Sequence, residues 1–358
     1  MLYTHNQRQF SAVSINFMIE LSQIDRIKIK LRLAKNTDSF FEVFGSSSHK
    51  YFLDKPLELI EVEQFECEYN IMLPEGYKKF ISEIGNGGIN YENSVVGNSG
   101  AGPNYGIFKL GHPYQFISDP SLKYLEQQPF LTEETTDEIW EYIYLKMEDN
   151  ISDEDYEIEI AKAYAGILNI GYAGCSEYLG IIVNGKNKGK IIDTYDEIEY
   201  CPCFYKENDF LDWYENWLDT IISGKKIKES GFTNETEESC INRFLSDKES
   251  YWKFVSLSSL RNFDKLNKSS IKTLKNKYNT EKDEKVRLYI LNLLTKFDYD
   301  NTKKEIATLH RKEPLEFLRN IHLFAQEKSV EWKNEIDIIR NVNFNNQEII
   351  EYIKYIFE

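Results

Sequence analysis

The sequence holds few of the residues from which catalytic and metal sites are built. Its 358 residues include five histidines and five cysteines, and no histidine belongs to an HxH or HExxH motif. The cysteines are odd in number and form no CxxC pair, and Cys201-Pro202-Cys203 is spaced too closely for the usual zinc knuckle. We therefore expect no metal site and no cofactor, and we expect the cysteines to be structural.

Long apolar runs are also missing. Residues 1–23 contain no basic region followed by an apolar stretch, so they resemble neither a signal peptide nor a membrane span. We accordingly expect a cytoplasmic protein that does not bind membranes.

The glycine-rich segment "VVGNSGAGPNYG", residues 95–106, lacks the lysine of a phosphate-binding loop. Up to Gly102 its spacing follows GxxxxGK[ST], but Pro103 and Asn104 stand where the lysine and the hydroxyl residue belong. The segment is followed by a predicted strand, so no helix N-terminus is available to hold an anion. We expect no nucleotide binding and predict that the glycines serve positive φ angles and close packing.

Negative charge is what the chain has in excess. Residues 1–224 carry 18 basic and 37 acidic side chains, whereas residues 225–358 carry 25 and 22, and the net charge is −16. An acidic field repels nucleic acid and anionic membranes and attracts basic proteins. Solubility is the alternative explanation of this acidity.

The acidity is densest from Glu133 to Glu159, where 12 acidic residues accompany one lysine. Interleaved apolar residues predict that part of this segment is a helix with an acidic outer face. The segment is either a solvated helix face or a docking surface for a basic protein. The second interpretation predicts a set of partner-binding residues: Glu133, Glu134, Asp137, Glu138, Trp140, Glu141, Tyr144, Glu148, Asp149, Asp153, Glu154 and Asp155.

The order of predicted elements is that of an α+β fold followed by an all-α region. Helices are predicted at both ends of residues 1–224, with strands at 105–110, 166–172, 178–185 and 189–195 between them. The loop "NGKNKG" predicts a hairpin between the last two strands. Residues 225–234 are predicted to be a linker. Residues 235–358 show only helical patterns, which fit either HEAT-like helical hairpins or a bundle.

A nucleophilic side chain is the remaining feature that would indicate an enzyme. In "GYAGCSEY" the thiol of Cys175 lies between small residues, but the sequence is not GxSxG and no histidine is near it. A Cys/His dyad remains an alternative because such partners are often distant in sequence. The favoured interpretation is that Cys175 is buried or lies in a turn, and that the protein is not an enzyme.

Several motifs, taken in order, resemble those of the SUKH superfamily, which includes bacterial immunity proteins and yeast cell-wall regulators. The motifs are Leu73-Pro74-Glu75-Gly76-Tyr77, Ile84-Gly85-Asn86-Gly87-Gly88, Gly100-Ala101-Gly102-Pro103-Asn104-Tyr105-Gly106, and Gly174-Cys175 before "EYLGIIV". They fall between about residues 45 and 220. In the bacterial branch one glycine-rich turn joins the second and third motifs, whereas here residues 89–99 separate them.

The resemblance implies a central antiparallel sheet flanked by helices, with no catalytic site. It assigns Gly85, Gly87, Gly88, Gly100, Gly102, Pro103 and Gly106 to structural turns. It also implies an immunity protein that neutralises a toxin, often a basic nuclease, and that binds no nucleic acid, membrane or small-molecule substrate. The alternative is a non-catalytic intracellular scaffold or regulator whose helical region binds the partner.

Overall fold

The fold is mixed α+β, with many helices and a small antiparallel sheet. The computed structural model describes residues 21–88, 99–148, 151–196, 198, 200–229 and 235–358. The helices before the strands are α1 Gln23–Thr37, α2 Ser46–His49, α3 Leu59–Glu68, α4 Glu75–Lys79, α5 Asp137–Glu148 and α6 Asp153–Ala163. The helices after the strands are α7 Phe210–Ile222, α8 Lys225–Glu229, α9 Glu237–Ser246, α10 Ser250–Leu260, α11 Lys268–Tyr278, α12 Glu284–Phe297, α13 Tyr299–Lys312, α14 Pro314–Phe324, α15 Lys333–Val342 and α16 Gln347–Ile356.

The sheet has three strands in the order β1-β2-β3, namely Ile167–Gly174, Glu177–Ile182 and Ile191–Tyr195. Both pairings are antiparallel, which confirms the predicted hairpin between the last two strands. Strands β1 and β2 are joined by Cys175 and Ser176, whose φ angles are 47° and 69°. Two successive positive φ angles match the right-handed twist of a tight hairpin, so Cys175 lies in a turn, where its side chain is exposed.

The regular strand predicted at residues 105–110 is wrong. Of this segment only Ile107 forms bridges, one to Gly100 and one to Gly171 of β1. Gly106 and Gly111 have φ angles of 103° and 83°, and such angles interrupt the extended backbone that a ladder requires. The segment therefore lies along the edge of β1 without becoming a strand.

The two glycine clusters of the sequence lie against each other. A Cβ atom on Gly100 would stand 2.1 Å from the carbonyl oxygen of Gly87, whose own φ is 65°. Gly102 and Gly85 are also sites of close approach, since their Cβ atoms would stand 2.6 Å from Ile107 Cγ1 and from Asp54 O. At the remaining turn positions, Gly106 N donates to the carbonyl of Pro103 at 3.0 Å and the carbonyl of Gly106 accepts the N–H of Tyr172 at 3.1 Å. Gly88 is buried. Residues 89–98, most of the predicted insertion, lie outside the described residues.

The chain divides into two compact units by its contacts. Among the described residues, one contains those within 23–31 and 43–220, and the other contains those within 21–22, 32–42 and 221–358. Residues 32–42, which precede the predicted boundary at 224, thus belong with the C-terminal helices. Residues 225–229 of the predicted linker form helix α8, and residues 230–234 lie outside the described residues.

Each unit has an apolar core of its own. In the unit of residues 43–220, helices α5 and α6 pack on the sheet, and Trp140 and Tyr164 meet Ile167, Ile182 and Ile192. In the other unit, most consecutive helices pack on one another, and Phe40 joins a core built from α9 to α12.

Candidate protein-binding surface

Helix α5 carries the predicted acidic surface, and its inner face fixes it to the sheet. Trp140 and Met147 are seven residues apart, so they point to the same side of the helix. Both are buried, and the indole N–H of Trp140 donates to the carbonyl of Ile198 at 2.6 Å. The side chain of Trp140 is therefore part of the core.

The opposite side of α5 is apolar as well, yet it is exposed. Ile139, Tyr142 and Leu145 follow one another at intervals of three residues, and 45%, 63% and 51% of their surfaces are accessible. The ammonium of Lys146 lies 4.5 Å from the centre of the Tyr142 ring, a distance typical of a cation–π contact. We call Ile139, Tyr142 and Leu145 the apolar stripe.

Acidic side chains flank this stripe. Asp137, Glu138 and Glu141 of α5 are exposed. Beside Thr136, whose hydroxyl donates a hydrogen bond to it, the Glu138 carboxyl has a pKa below its ordinary value. A negative charge in the first turn of α5 also suits the positive end of the helix dipole.

The neighbouring helix α6 starts with three further exposed acids, Asp153, Glu154 and Asp155. Ser152 caps this helix, because its hydroxyl oxygen accepts the backbone N–H of Asp155 at 3.1 Å. That hydroxyl also donates to the Asp155 carboxylate at 2.8 Å. Asp155 thus has a structural role at the cap, while Asp153 and Glu154 extend into solvent.

Little of this acidic charge is neutralised locally. None of Asp137, Glu138, Glu141, Asp153, Glu154 and Asp155 forms an ion pair with another residue that the structure describes. Glu133 is different, since its carboxylate meets Lys190 Nζ at 2.5 Å. By comparison, Glu215 of the same unit lies 2.9 Å from both Arg26 Nε and Lys30 Nζ.

The structure separates the predicted partner-binding residues into different environments. Trp140 was expected at the surface, but it is buried because its ring fills the core beside Tyr164. Tyr144 is half-buried, and Glu134 is exposed. Asp149 lies outside the described residues, as does the side chain of Glu148. Sequence reasoning missed the apolar stripe, although its spacing of three residues is visible in the sequence.

Two other findings bear on function. Among the residues that the structure describes, no group of three or more His, Cys, Asp or Glu side chains is placed to hold a metal ion. No helix within the same ranges is long and apolar enough to cross a membrane.

Comparisons of the chain with protein-family models, with curated proteins and with solved structures give no match.

Proposed function

We propose that this chain is a cytoplasmic, non-catalytic immunity protein that binds and neutralises a basic toxin through the surface of α5 and α6. The observation that carries the proposal is the group of exposed acids without ion-pair partners among the described residues. Uncompensated charge of one sign favours encounter with a partner of the opposite sign. A nuclease is the favoured toxin class, because its substrate cleft must attract phosphate.

We further propose that residues 45–220 form a SUKH-type domain. The adjacency of the two glycine clusters supports this, because a single composite turn is what the resemblance requires despite the intervening residues 89–99. A contact of helix α7 also supports the SUKH-type domain, which the resemblance closes with this helix. The Tyr214 hydroxyl donates to the carbonyl of Ala101, in the third motif, at 2.8 Å. For residues 235–358 we propose a HEAT-like array, which the packing of most consecutive helices supports.

The proposed mechanism is occlusion. Carboxylates on α5 and α6 would take the positions that substrate phosphates occupy against the toxin's lysines and arginines. Charge-assisted hydrogen bonds of this kind are short and strong, and arginine binds carboxylate in a bidentate manner. No bond is made or broken by the immunity protein, so protection depends on affinity and on the rate of capture.

Co-expression tests the proposal. The chain is expressed at equal level with the toxin encoded beside it, and cell survival and complex formation are measured. We expect survival and a stable one-to-one complex. Cell death at equal expression, with no complex on co-purification, would rule the proposal out.

A scaffold or regulator is the second candidate, and exposed apolar residues of the helical unit favour it. Val330, Val342 and Phe344 are 83%, 73% and 71% exposed. Deleting residues 225–358 is a poor test, because residues 32–42 belong to the same unit and would lose their core. Substituting the three residues by serine in the full chain is better. A scaffold would lose its partner, whereas an inhibitor that binds through α5 would retain the toxin.

A further inference from the structure

Helix α5 is apolar on two opposite sides. Successive residues of an α-helix are turned by about 100°, so Tyr142 and Leu145 point away from the buried side that holds Trp140 and Met147, and Ile139 lies at its flank. A helix that is apolar all round is normally buried all round. Here one side is covered by the sheet core, while the residues of the other side are about half exposed.

The stripe has the composition of an interface centre. Tyrosine is enriched among residues that dominate binding energy, and such residues are surrounded by a polar rim that excludes water. In this surface Tyr142 is central, Ile139 and Leu145 stand one helical turn to either side, and Glu138 and Glu141 lie beside them. The Lys146 ammonium contacts the face of the Tyr142 ring. Because this contact restricts the ring in the free protein, less side-chain entropy is lost when a partner binds it.

The charge of the residues around the apolar stripe indicates which kind of molecule binds there. Glu138 and Glu141 flank the stripe on α5, the neighbouring helix α6 adds Asp153 and Glu154, and these carboxylates have no ion pair among the described residues. A second copy of the chain would place the same acids against each other across a two-fold axis. An anionic membrane would repel them too. A basic polypeptide with an apolar ridge satisfies both the stripe and its rim.

We propose that the apolar stripe Ile139–Tyr142–Leu145 is the anchor on which the partner docks, and that the partner presents an apolar ridge flanked by lysine or arginine. This inference rests on the proposed function and specifies its contact. The acids steer and orient the partner, and the stripe supplies most of the affinity.

The first experiment needs no toxin and uses the full chain. Two peptides of identical composition are compared by calorimetry: a helical peptide with leucines on one face and lysines on the other, and a scrambled version. The protein variants are the stripe variant, Ile139→Ser/Tyr142→Ser/Leu145→Ser, and a control, Val330→Ser/Val342→Ser/Phe344→Ser. The control removes three apolar residues of the other unit that are more exposed than those of the stripe.

We expect the wild type to prefer the amphipathic peptide by at least about tenfold. The stripe variant should lose at least about 30-fold in affinity for that peptide, which corresponds to the loss of one binding hot spot. The control variant should bind as the wild type does. Equal binding by wild type and stripe variant would overturn the inference. Thermal melting checks folding, and Tyr142→Ala alone, with an expected loss of about tenfold, serves if the triple variant melts early.

Two further measurements exclude the other occupants. Sedimentation that reveals a dimer in the wild type and a monomer in the stripe variant would overturn the inference in favour of a second copy. Binding of the wild type to phosphatidylserine vesicles, lost in the stripe variant, would overturn it in favour of a membrane. A wild type that is monomeric and does not bind the vesicles supports a basic polypeptide as the partner.

Protection and binding assays with the toxin distinguish a failure of this inference from a failure of the proposed function. If the wild type protects cells and the stripe variant does not, both are supported. If both proteins protect cells and bind the toxin with equal affinity, the stripe is not the anchor and the proposed function stands. If the wild type gives no protection, the proposed function fails, and the peptide comparison alone decides on the stripe.

Discussion

At the scale of single residues, His49 is a buried histidine beside the glycine-rich segment, where a Cβ on Gly106 would stand 3.4 Å from its ring. The imidazole packs edge-on against Tyr51 and Trp217, with ring centres 5.2 Å and 6.2 Å away. Its Nδ1 accepts the backbone N–H of Tyr51 at 3.0 Å, and a hydrogen bond with the backbone of Gly102 partly opposes the effect of burial on the pKa of the ring. Burial lowers the pKa of His49 to about 4. The ring is consequently neutral at physiological pH.

This buried histidine predicts an acid-sensitive step in stability. In the unfolded chain His49 takes up a proton near its ordinary pKa of about 6.5, whereas in the folded protein it does so only near 4. Stability is therefore complete above about pH 6.5 and is lost as the pH falls towards 4. The loss should be about 2 kcal/mol between about pH 7 and pH 5. Chemical denaturation of wild type and His49→Asn at both pH values measures it; the variant should lack this part of the slope.

Gly106 gives a second prediction, with Gly111 as its control. Both residues have positive φ, 103° and 83°, but a Cβ on Gly106 would stand 2.0 Å from Gly100 O, whereas a Cβ on Gly111 would meet no atom of the described residues within 4 Å. Gly111→Ala should cost about 1 kcal/mol from backbone strain alone. Gly106→Ala must also push two backbone segments apart, and we expect a loss of about 3 kcal/mol or more. Equal losses in urea unfolding would contradict the close approach at Gly106.

At the scale of elements, local pattern predicted the C-terminal helices well and α1 not at all. The helices predicted within residues 235–358 are confirmed, since α9 to α16 lie in that range. Residues 27–33 instead alternate apolar and basic side chains, which is typical of a strand, yet they lie in α1. Their environment explains this, because Lys30 pairs with Glu215 and Asp219 within one unit, and Arg32 pairs with Glu351 within the other. Such distant partners cannot be found from local periodicity.

The same limit applied to the candidate surface. Periodicity correctly placed a helix in the acidic segment, but α5 has apolar residues on two sides, and the sequence does not say which side the sheet will cover. Trp140 was accordingly predicted at the surface, while Tyr142 was overlooked. Which acids are neutralised is also a matter of tertiary contacts, as the pairing of Glu133 with Lys190, 57 residues away, illustrates.

A buried ion pair in the helical unit makes a prediction at this scale. Arg261 contacts Glu42, and both side chains are almost completely buried. The Tyr289 hydroxyl lies 2.9 Å from Glu42 Oε2 and 3.0 Å from Arg261 Nη1. Glu42→Ala leaves the guanidinium buried without its carboxylate, so we expect a loss of about 3–5 kcal/mol in the free energy of unfolding.

An exposed pair of the same unit controls that experiment. Glu284 and Arg287 are 3.3 Å apart on the surface of α12, and Glu284→Ala should change stability by less than about 0.5 kcal/mol. The double variant Glu42→Leu/Arg261→Met should recover much of the loss, because paired apolar side chains replace a buried ion pair well. A double variant as unstable as Glu42→Ala would mean that shape, and not charge, dominates at this position.

At the scale of the whole molecule, the charge is distributed so that function can be separated from stability. Residues 1–224 hold the acidic excess, and residues 225–358 are close to neutral. Within the acidic part, some carboxylates form ion pairs between elements: Glu215 pairs with Arg26, and Glu66 pairs with Lys78. Glu141, Asp153 and Glu154 form no ion pair with another described residue, and within the same part of the chain they lack the capping and hydrogen-bonding roles of Asp155 and Glu138. Their neutralisation should leave the fold intact.

This division predicts an effect on association rate. The variant Glu141→Gln/Asp153→Asn/Glu154→Gln should bind a basic partner roughly tenfold more slowly at low ionic strength, while its dissociation rate changes little, because rim charges act mainly during approach. Stopped-flow measurement with the amphipathic lysine peptide provides the rates. At about 1 M salt, where the Debye length is about 3 Å, the difference should almost vanish. The variant Glu238→Gln/Glu249→Gln/Glu348→Gln removes three exposed acids from the helical unit instead. If it slows association equally, net charge alone steers the partner; if it does not, the acids of α5 and α6 mark the place where the partner arrives.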